Sequence, residues 1–291
     1  MYPPEFTYKR ASTVDEAVRL LSENADRETE LLAGGHSLLP TMKTGLASPD
    51  LVIDIGDITE LSGISSNGES TRIGAMTTYA EIEASDEVHR ASPVIAEAAS
   101  HVGDLQVRNA GTIGGNIAHA DPASDLPASI LVADATIHVA GPDATRSIAA
   151  ENFFTGMFDT AINGDELLTA IDVPNASHTS ADTYVKKPSP SSGYAQVGVA
   201  ARVSMADDRI EEARVAVNGA LDRAIRLSNV EASLTGEVLR DDTIEAATAA
   251  VSSDLSGFTI LEDNQVSSEF REQLVRVYTK RALEDVKHEL A

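Results

Sequence analysis

The chain has 291 residues with 46 acidic side chains against 22 lysines and arginines, a formal charge of −24, and no cysteine. The absence of cysteine excludes disulfides, thiolate catalysis, a cysteine-linked flavin and iron–sulfur clusters held by this chain. A nucleic-acid binder would need clustered positive charge, which the sequence lacks. Acidity spread along the whole chain indicates a solvated, self-repelling surface, so we expect a halophilic source.

The sequence contains no signal for a membrane or for a metal. No apolar run approaches the roughly 20 residues that span a bilayer, and MYPPEFTYKRAST has neither the basic start nor the apolar stretch of a signal peptide. We therefore expect a cytoplasmic protein without a transmembrane segment. The seven histidines never show His-x-x-x-His spacing, so we predict no metal ligands.

The first third of the chain alternates between helical and strand patterns. STVDEAVRLLSEN predicts a helix capped by Ser12 or Thr13, with an apolar stripe over residues 14–21. Strands are predicted for ELLAGG, DLVIDIG and TRIGAM, and SLLPTMK is predicted as a turn or short helix. TTYAEIEAS opens on a capping pattern, and SPVIAEAASHV predicts a helix with Ser92 as cap and Pro93 at its first position.

The next segment, VRNAGTIGGNIAHADPASDLPA, is poor in bulky apolar residues and is predicted to be a long loop. DLPASILVAD then predicts a helix, and ATIHVAG and DELLTAIDVP predict strands. The polar segment 175–182 is predicted to be a domain boundary or an exposed connection. Beyond it, YAQVGVAARVSM and RIEEARVAVNGA predict an antiparallel pair. The remainder is helical, with Phe270, Leu274, Val277 and Tyr278 on one face of the last helix. The pattern is α+β.

Two glycine pairs, in AGGHS and GTIGGN, interrupt this pattern. A loop that binds a pyrophosphate must direct several successive N–H groups at one anion, with no Cβ in the way. Both loops can do this, and Ser37, Thr112 and Asn116 add side-chain donors. The alternative is that each pair forms only a tight turn. No P-loop and no strand–G-x-G-x-x-G–helix unit occurs, so a nucleotide would need another scaffold.

Five segments together resemble the flavin-binding subunit of molybdenum hydroxylases. They are LLAGGHSLLPTMKTGLASPDLVIDIG, IGAMTTYAEI, GDLQVRNAGTIGGNIAHADPASDLPA, ENFFTGMFDTAINGDELLTAIDVP and KKPSPSSGYAQVGVAARV. The nearest likeness is to the medium subunit of aerobic carbon monoxide dehydrogenases, and the FAD domain of xanthine dehydrogenase is more distant. The resemblance implies an α+β fold: a two-part FAD-binding α/β domain of the PCMH type over residues 1–176, split into about 1–56 and 57–176, and a C-terminal α+β domain over 177–291.

The resemblance also implies that FAD binds without covalent attachment between the two halves of the first domain. Both glycine loops would contact the pyrophosphate, and a few residues further along the chain would contact the polyol and the rings. The implied cofactor contacts are Leu32, Ala33, Gly34, Gly35, His36, Ser37, Leu38, Gly111, Thr112, Ile113, Gly114, Gly115, Asn116, Asp125, Leu168, Lys186 and Tyr194.

Four of these residues have individual roles implied by the resemblance. Asp125 would contact the polyol chain of the flavin, and Leu168 would pack near the ring system or the adenine. Lys186 would lie near the pyrimidine edge, where a cation favours the anionic reduced ring. Tyr194 would cover one face of the isoalloxazine. Judged without the resemblance, Asp125 could be a surface or helix-capping residue, Leu168 core, Lys186 solvated and Tyr194 a strand aromatic.

Three further residues have supporting roles. His36 often has glutamine as its counterpart in the carbon monoxide enzymes, so we expect it to contribute its N–H and a polar side chain rather than acid–base chemistry. His119 and Asp121, in AHADP, are expected to support the second loop.

The resulting hypothesis is an electron-transfer flavin subunit with no catalytic residue of its own. A large partner chain would carry a molybdenum cofactor and a small one two [2Fe–2S] clusters, in a dimer of heterotrimers. The chain without cysteine cannot hold those clusters. The alternatives are a stand-alone FAD-dependent oxidase or reductase of the same superfamily and an assembly module that has lost its flavin.

Overall fold

Three main sheets, of three, five and four strands, organise the protein in a computed structural model that describes residues 2–291. A separate cluster of buried apolar side chains accompanies each sheet. The α+β class is therefore confirmed. Within the described residues, no helix combines the length and the apolar character that a bilayer crossing would require.

A small parallel sheet forms the N-terminal lobe. Its elements are β1 (Thr7–Arg10), α1 (Val14–Glu23), β2 (Thr29–Leu32), α2 (Leu38–Thr44) and β3 (Leu51–Asp54). The strand order is β1-β3-β2, with β3 in the centre and buried throughout. The Thr13 hydroxyl accepts the N–H of Glu16 at 3.1 Å, so Thr13 rather than Ser12 caps α1. The first glycine loop joins β2 to α2.

A five-stranded antiparallel sheet and six short helices form the middle lobe. Its elements are β4 (Ile64–Ser66), β5 (Ser70–Gly74), α3 (Tyr79–Glu83), α4 (Asp86–Ala91), α5 (Pro93–Ser100), α6 (Leu105–Arg108), α7 (Ile113–His119), α8 (Leu126–Val132), β6 (Thr136–Ala140), β7 (Thr145–Ala149), β8 (Phe154–Gly156), β9 (Asp159–Thr160) and β10 (Leu167–Pro174). The sheet order is β4-β5-β10-β6-β7, and β8 and β9 form a separate ribbon. The helices pack on this sheet around one apolar cluster.

The prediction of a long loop after α5 is wrong, because α6 and α7 lie within it. The Asp104 carboxylate accepts the N–H of Val107 at 2.9 Å and starts α6. The Thr112 hydroxyl accepts the N–H of Gly115 at 3.2 Å and starts α7. Glycine is a poor helix former, so the glycine pair predicted a loop. Capping and tertiary packing nevertheless stabilise a helix at this position.

The C-terminal part is a four-stranded antiparallel sheet covered by helices. Its elements are β11 (Ser180–Pro188), β12 (Ala195–Ala206), β13 (Arg209–Asn218), β14 (Ile225–Arg226), α9 (Ser228–Leu234), α10 (Asp241–Ala249), α11 (Val251–Leu255) and α12 (Ser268–Glu289). The predicted pairing of β12 with β13 is confirmed. The predicted face of α12 is wrong in part: Leu274 and Tyr278 are buried, whereas Phe270 and Val277 are exposed. The helix instead buries Arg271, whose guanidinium is bonded to backbone carbonyls.

A buried carboxylate ties the middle lobe to the C-terminal sheet. Asp182 on β11 pairs with Arg202 on β12, and its other oxygen accepts the N–H of Val94 at 2.8 Å. Asp182 therefore caps α5 from a distant part of the sequence. Ser92 occupies the N-cap position and Pro93 the first turn, as predicted, but the Ser92 hydroxyl makes no capping bond and is directed at Asp182 instead.

Candidate functional site

A cavity of about 910 Å³ opens between the N-terminal and middle lobes, where the two glycine loops meet. Most of the predicted cofactor contacts line its wall. These are Ala33, Gly34, Gly35, His36, Ser37, Leu38, Gly111, Thr112, Gly114, Gly115, Asn116, Leu168 and Tyr194. Four others lie behind the wall or away from it, namely Leu32, Ile113, Asp125 and Lys186.

The first glycine loop presents a series of free donors to this cavity. The N–H groups of residues 34–38 find no acceptor among residues 2–291. Gly35 has φ +70°, a left-handed conformation that glycine adopts without strain. The His36 ring donates from Nδ1 to the carbonyl oxygen of Gly34 at 2.7 Å, which folds the side chain back on the loop. Five successive unpaired N–H groups are the kind of donor set with which a backbone loop binds an anion.

Close backbone contact sets the two loops against each other. A Cβ on Gly34 would overlap the carbonyl oxygen of Ala110 and lie 2.7 Å from the Cα of Gly111. The residue at position 34 must therefore lack a side chain, because both obstacles belong to the backbone.

The second loop uses most of its N–H groups within the protein. Gly114 donates to the carbonyl of Ala75 at 2.8 Å, and Ile113 donates to the carbonyl of Thr77 at 3.1 Å. Gly115 donates to the Thr112 hydroxyl. Gly114 is required by packing, since a Cβ there would lie 2.5 Å from the Cβ of Ala75. The two loops are therefore chemically unequal, and the first carries most of the free backbone donors.

Asp125 and Lys186 form a buried ion pair beyond the cavity wall. Their oxygen and nitrogen are 2.7 Å apart, and their side chains are 5% and 3% exposed. The other Asp125 oxygen accepts the Tyr184 hydroxyl at 2.6 Å. Burial raises the pKa of the Asp125 carboxyl, and Lys186 partly offsets that rise. Asp125 stands at the start of α8 but makes no side-chain capping bond there.

Aromatic side chains border the mouth of the cavity. Tyr194 is 46% exposed, and Phe158, at the tip of the β8–β9 ribbon, is 54% exposed. The Phe158 ring lies 5.1 Å from that of His119, whose pKa is lowered by burial. Asp121 accepts the N–H of Ala123 at 2.9 Å and so shapes the turn after α7.

Sequence reasoning missed Tyr79, Phe158 and Glu30 as wall residues. Phe158 lies in the segment ENFFTGMFDTAI, and its left-handed φ of +54° gives no signal in the sequence. Tyr79 follows Thr78, the capping residue of α3, and the sequence pattern predicts an ordinary buried core residue at this position. Glu30 occupies β2 with its pKa raised by burial and by Glu28.

The cavity has the chemistry of a dinucleotide site. No lysine or arginine lines it within residues 2–291, so a bound anion would be held by uncharged donors, the backbone N–H groups among them. A cleft of this volume, with apolar and aromatic walls and a few polar groups, suits a large cofactor. The fold and the site thus define a nucleotide-binding protein of the two-lobed α+β type.

Comparisons with known proteins identify the family. A family profile described as the FAD binding domain in molybdopterin dehydrogenase matches residues 4–176, and one described as the CO dehydrogenase flavoprotein C-terminal domain matches residues 182–286. The chain belongs to this family of FAD-binding flavoprotein subunits. The predicted family, the FAD cofactor and the oxidoreductase class are confirmed.

Individual relatives match over nearly their whole length. The glyceraldehyde dehydrogenase medium chain of Sulfolobus acidocaldarius is 37% identical, with 98% of this chain and 100% of the relative covered. A carbon monoxide dehydrogenase structure from Hydrogenophaga pseudoflava matches with a TM-score of 0.95 and 34% identity, covering 100% of both chains. Quinoline 2-oxidoreductase from Pseudomonas putida matches with a TM-score of 0.91 and 27% identity, covering 100% of this chain and 99% of the other.

Proposed function

We propose that residues 34–38 hold the pyrophosphate of FAD and that this chain passes electrons between partner-bound clusters and an external acceptor. The observation that carries the proposal is the set of N–H groups at 34–38, which find no acceptor in the described chain and belong to residues that line the cavity. When bound, the flavin supplies the redox chemistry, taking up two electrons and releasing them. The residues of this chain bind it, orient it and limit its access to water.

The remaining predicted contacts fit this arrangement to different degrees. Leu168 is buried and lines the cavity, which suits packing against a ring, and Tyr194 at the mouth suits stacking on the isoalloxazine. Leu32 and Ile113 support the loops from behind. We propose that Asp125 and Lys186 act on the flavin as a pair, since each already neutralises the other.

The assembly that we propose includes a molybdenum-cofactor large subunit and a [2Fe–2S] small subunit, joined as a dimer of heterotrimers. The names of the relatives support it, because one is called a medium chain. Those relatives belong to enzymes named for glyceraldehyde, carbon monoxide and quinoline, although each matches this chain over 98% of its length or more. We infer that the substrate is chosen outside this chain. We also propose a domain boundary at residues 176–177, since the matching profiles end at 176 and begin at 182.

The purified single chain tests the division of labour. We expect it to bind one FAD reversibly, to contain neither iron nor molybdenum, and to hydroxylate nothing. Visible absorption and metal analysis measure this directly. Turnover of a substrate by the single chain would instead indicate a stand-alone oxidase or reductase. Failure to bind flavin would indicate an assembly module.

We further propose that the chain works in a cytoplasm of high ionic strength. Charge repulsion at −24 acts over about 10 Å in 0.1 M salt and about 3 Å in 1 M salt. We expect the melting temperature to rise by roughly 5 °C or more between 0.1 and 2 M KCl, about 1–2 kcal/mol for a chain of this size. A melting temperature that does not change over this range would contradict salt adaptation.

A further inference from the structure

The second glycine loop has too few unpaired backbone N–H groups to bind a pyrophosphate by its backbone alone. Its N–H groups at 113, 114 and 115 are bonded to Thr77, Ala75 and Thr112. A dianionic group held on one side by residues 34–38 therefore needs donors of another kind on the opposite side. The side chains packed behind the second loop are the place to look for them.

Tyr79 lies directly behind this loop and reaches the cavity. Its side chain is 5% exposed and forms part of the cavity wall. Its backbone N–H donates to the carbonyl of Gly111 at 3.1 Å, and a Cβ on Gly111 would lie 2.5 Å from Cε2 of its ring. Glycine at 111 thus leaves room for the ring against the loop, at the residue whose Cα also meets Gly34.

A directed chain of hydrogen bonds leaves the Tyr79 proton free. The Ser124 hydroxyl donates to Oδ1 of Asn116 at 2.7 Å, and Nδ2 of Asn116 donates to the Tyr79 oxygen at 3.0 Å. An amide nitrogen can only donate, so the phenol oxygen accepts and keeps its own proton. None of residues 2–291 accepts that proton. Burial raises the pKa of Tyr79, so the hydroxyl stays protonated at neutral pH.

We propose that the Tyr79 hydroxyl donates a hydrogen bond to the pyrophosphate of the bound dinucleotide, opposite the N–H groups of residues 34–38. Ser124 and Asn116 orient it, and Gly111 makes room for its ring. This assignment rests on the FAD site proposed above. It gives the second loop a side-chain donor in place of the backbone donors that it uses internally.

Binding of ligand fragments to the full chain tests this assignment. ADP carries the pyrophosphate without the flavin, and riboflavin carries the flavin without phosphate. We expect Tyr79→Phe to weaken FAD and ADP alike by about 10- to 100-fold, the worth of one hydrogen bond to a charged group. Riboflavin binding should change less than about twofold, because no phosphate is present. Isothermal titration in 2 M KCl gives all three constants.

The matched control is Tyr278→Phe. Tyr278 is 8% exposed and so is buried like Tyr79, but it lies in the C-terminal core. It should leave all three constants unchanged, and melting of both variants without ligand checks the fold. Unchanged ADP binding in Tyr79→Phe overturns the inference and indicates the opposite amide orientation of Asn116. A loss confined to riboflavin and FAD overturns it too, because the hydroxyl would then contact the ring. A parent chain that binds neither FAD nor ADP overturns the FAD site itself.

Discussion

Gly34→Ala is expected to weaken FAD binding by about a hundredfold to ten-thousandfold. The added Cβ would overlap the carbonyl oxygen of Ala110, and neither backbone can yield without separating the two loops. Two or more charge-assisted hydrogen bonds would be lost with the contact, at about 1.5–3 kcal/mol each. Flavin fluorescence titration of the apo chain measures the loss, with circular dichroism as the check on folding.

Gly156→Ala is the matched control for this substitution. A Cβ at position 156 would make only an ordinary 3.7 Å contact with Asp159, so FAD binding should not change. Gly115→Ala should fall between the two, because its Cβ would meet the Thr112 hydroxyl at 3.0 Å rather than a fixed backbone atom. Parent-like FAD affinity in Gly34→Ala would show that the contact between the loops is dispensable for binding.

Lys186→Met is expected to lower the free energy of unfolding of the apo chain by about 3–5 kcal/mol at pH 7 and above. The substitution leaves the Asp125 carboxylate buried without its cation, which costs far more than the pair contributes. Asp125→Asn together with Lys186→Met should recover most of the loss, because no buried charge remains. Urea denaturation in 2 M KCl compares the three chains.

The pH dependence of the Lys186→Met deficit follows from the pKa of Asp125, which burial raises and Lys186 lowers, so that loss of Lys186 raises it further. A carboxyl whose folded pKa lies above its unfolded value contributes stability that is present below the unfolded pKa and disappears as the pH rises through the folded pKa. The deficit of Lys186→Met should therefore shrink as the pH falls from 7 towards 4. A deficit independent of pH would mean that lost packing, rather than an unpaired charge, destabilises the variant.

Local patterns in the sequence were sufficient for the elements whose stability is local. The β-branched run of DLVIDIG became β3, and the hydroxyl before VDEAVRLL capped α1. They were insufficient where a distant residue decides the local structure. Asp182 caps α5 from 88 residues away, and α7 forms around two glycines because Ala75 and Thr77 accept its first N–H groups.

The sequence by itself determined the class of protein and two glycine loops that could each bind an anion. The glycine pairs and the absence of cysteine are facts of local sequence and composition, whereas the left-handed φ of Gly35 and the contact of Gly34 with the backbone of Ala110 are set by the fold. Only the tertiary structure decided which donors remain free. All four loop glycines carry the same N–H group. In the folded chain the N–H groups of Gly114 and Gly115 have acceptors, whereas those of Gly34 and Gly35 have none. The availability of a hydrogen-bond donor depends on what packs beside it, because a satisfied N–H no longer gains from binding a ligand.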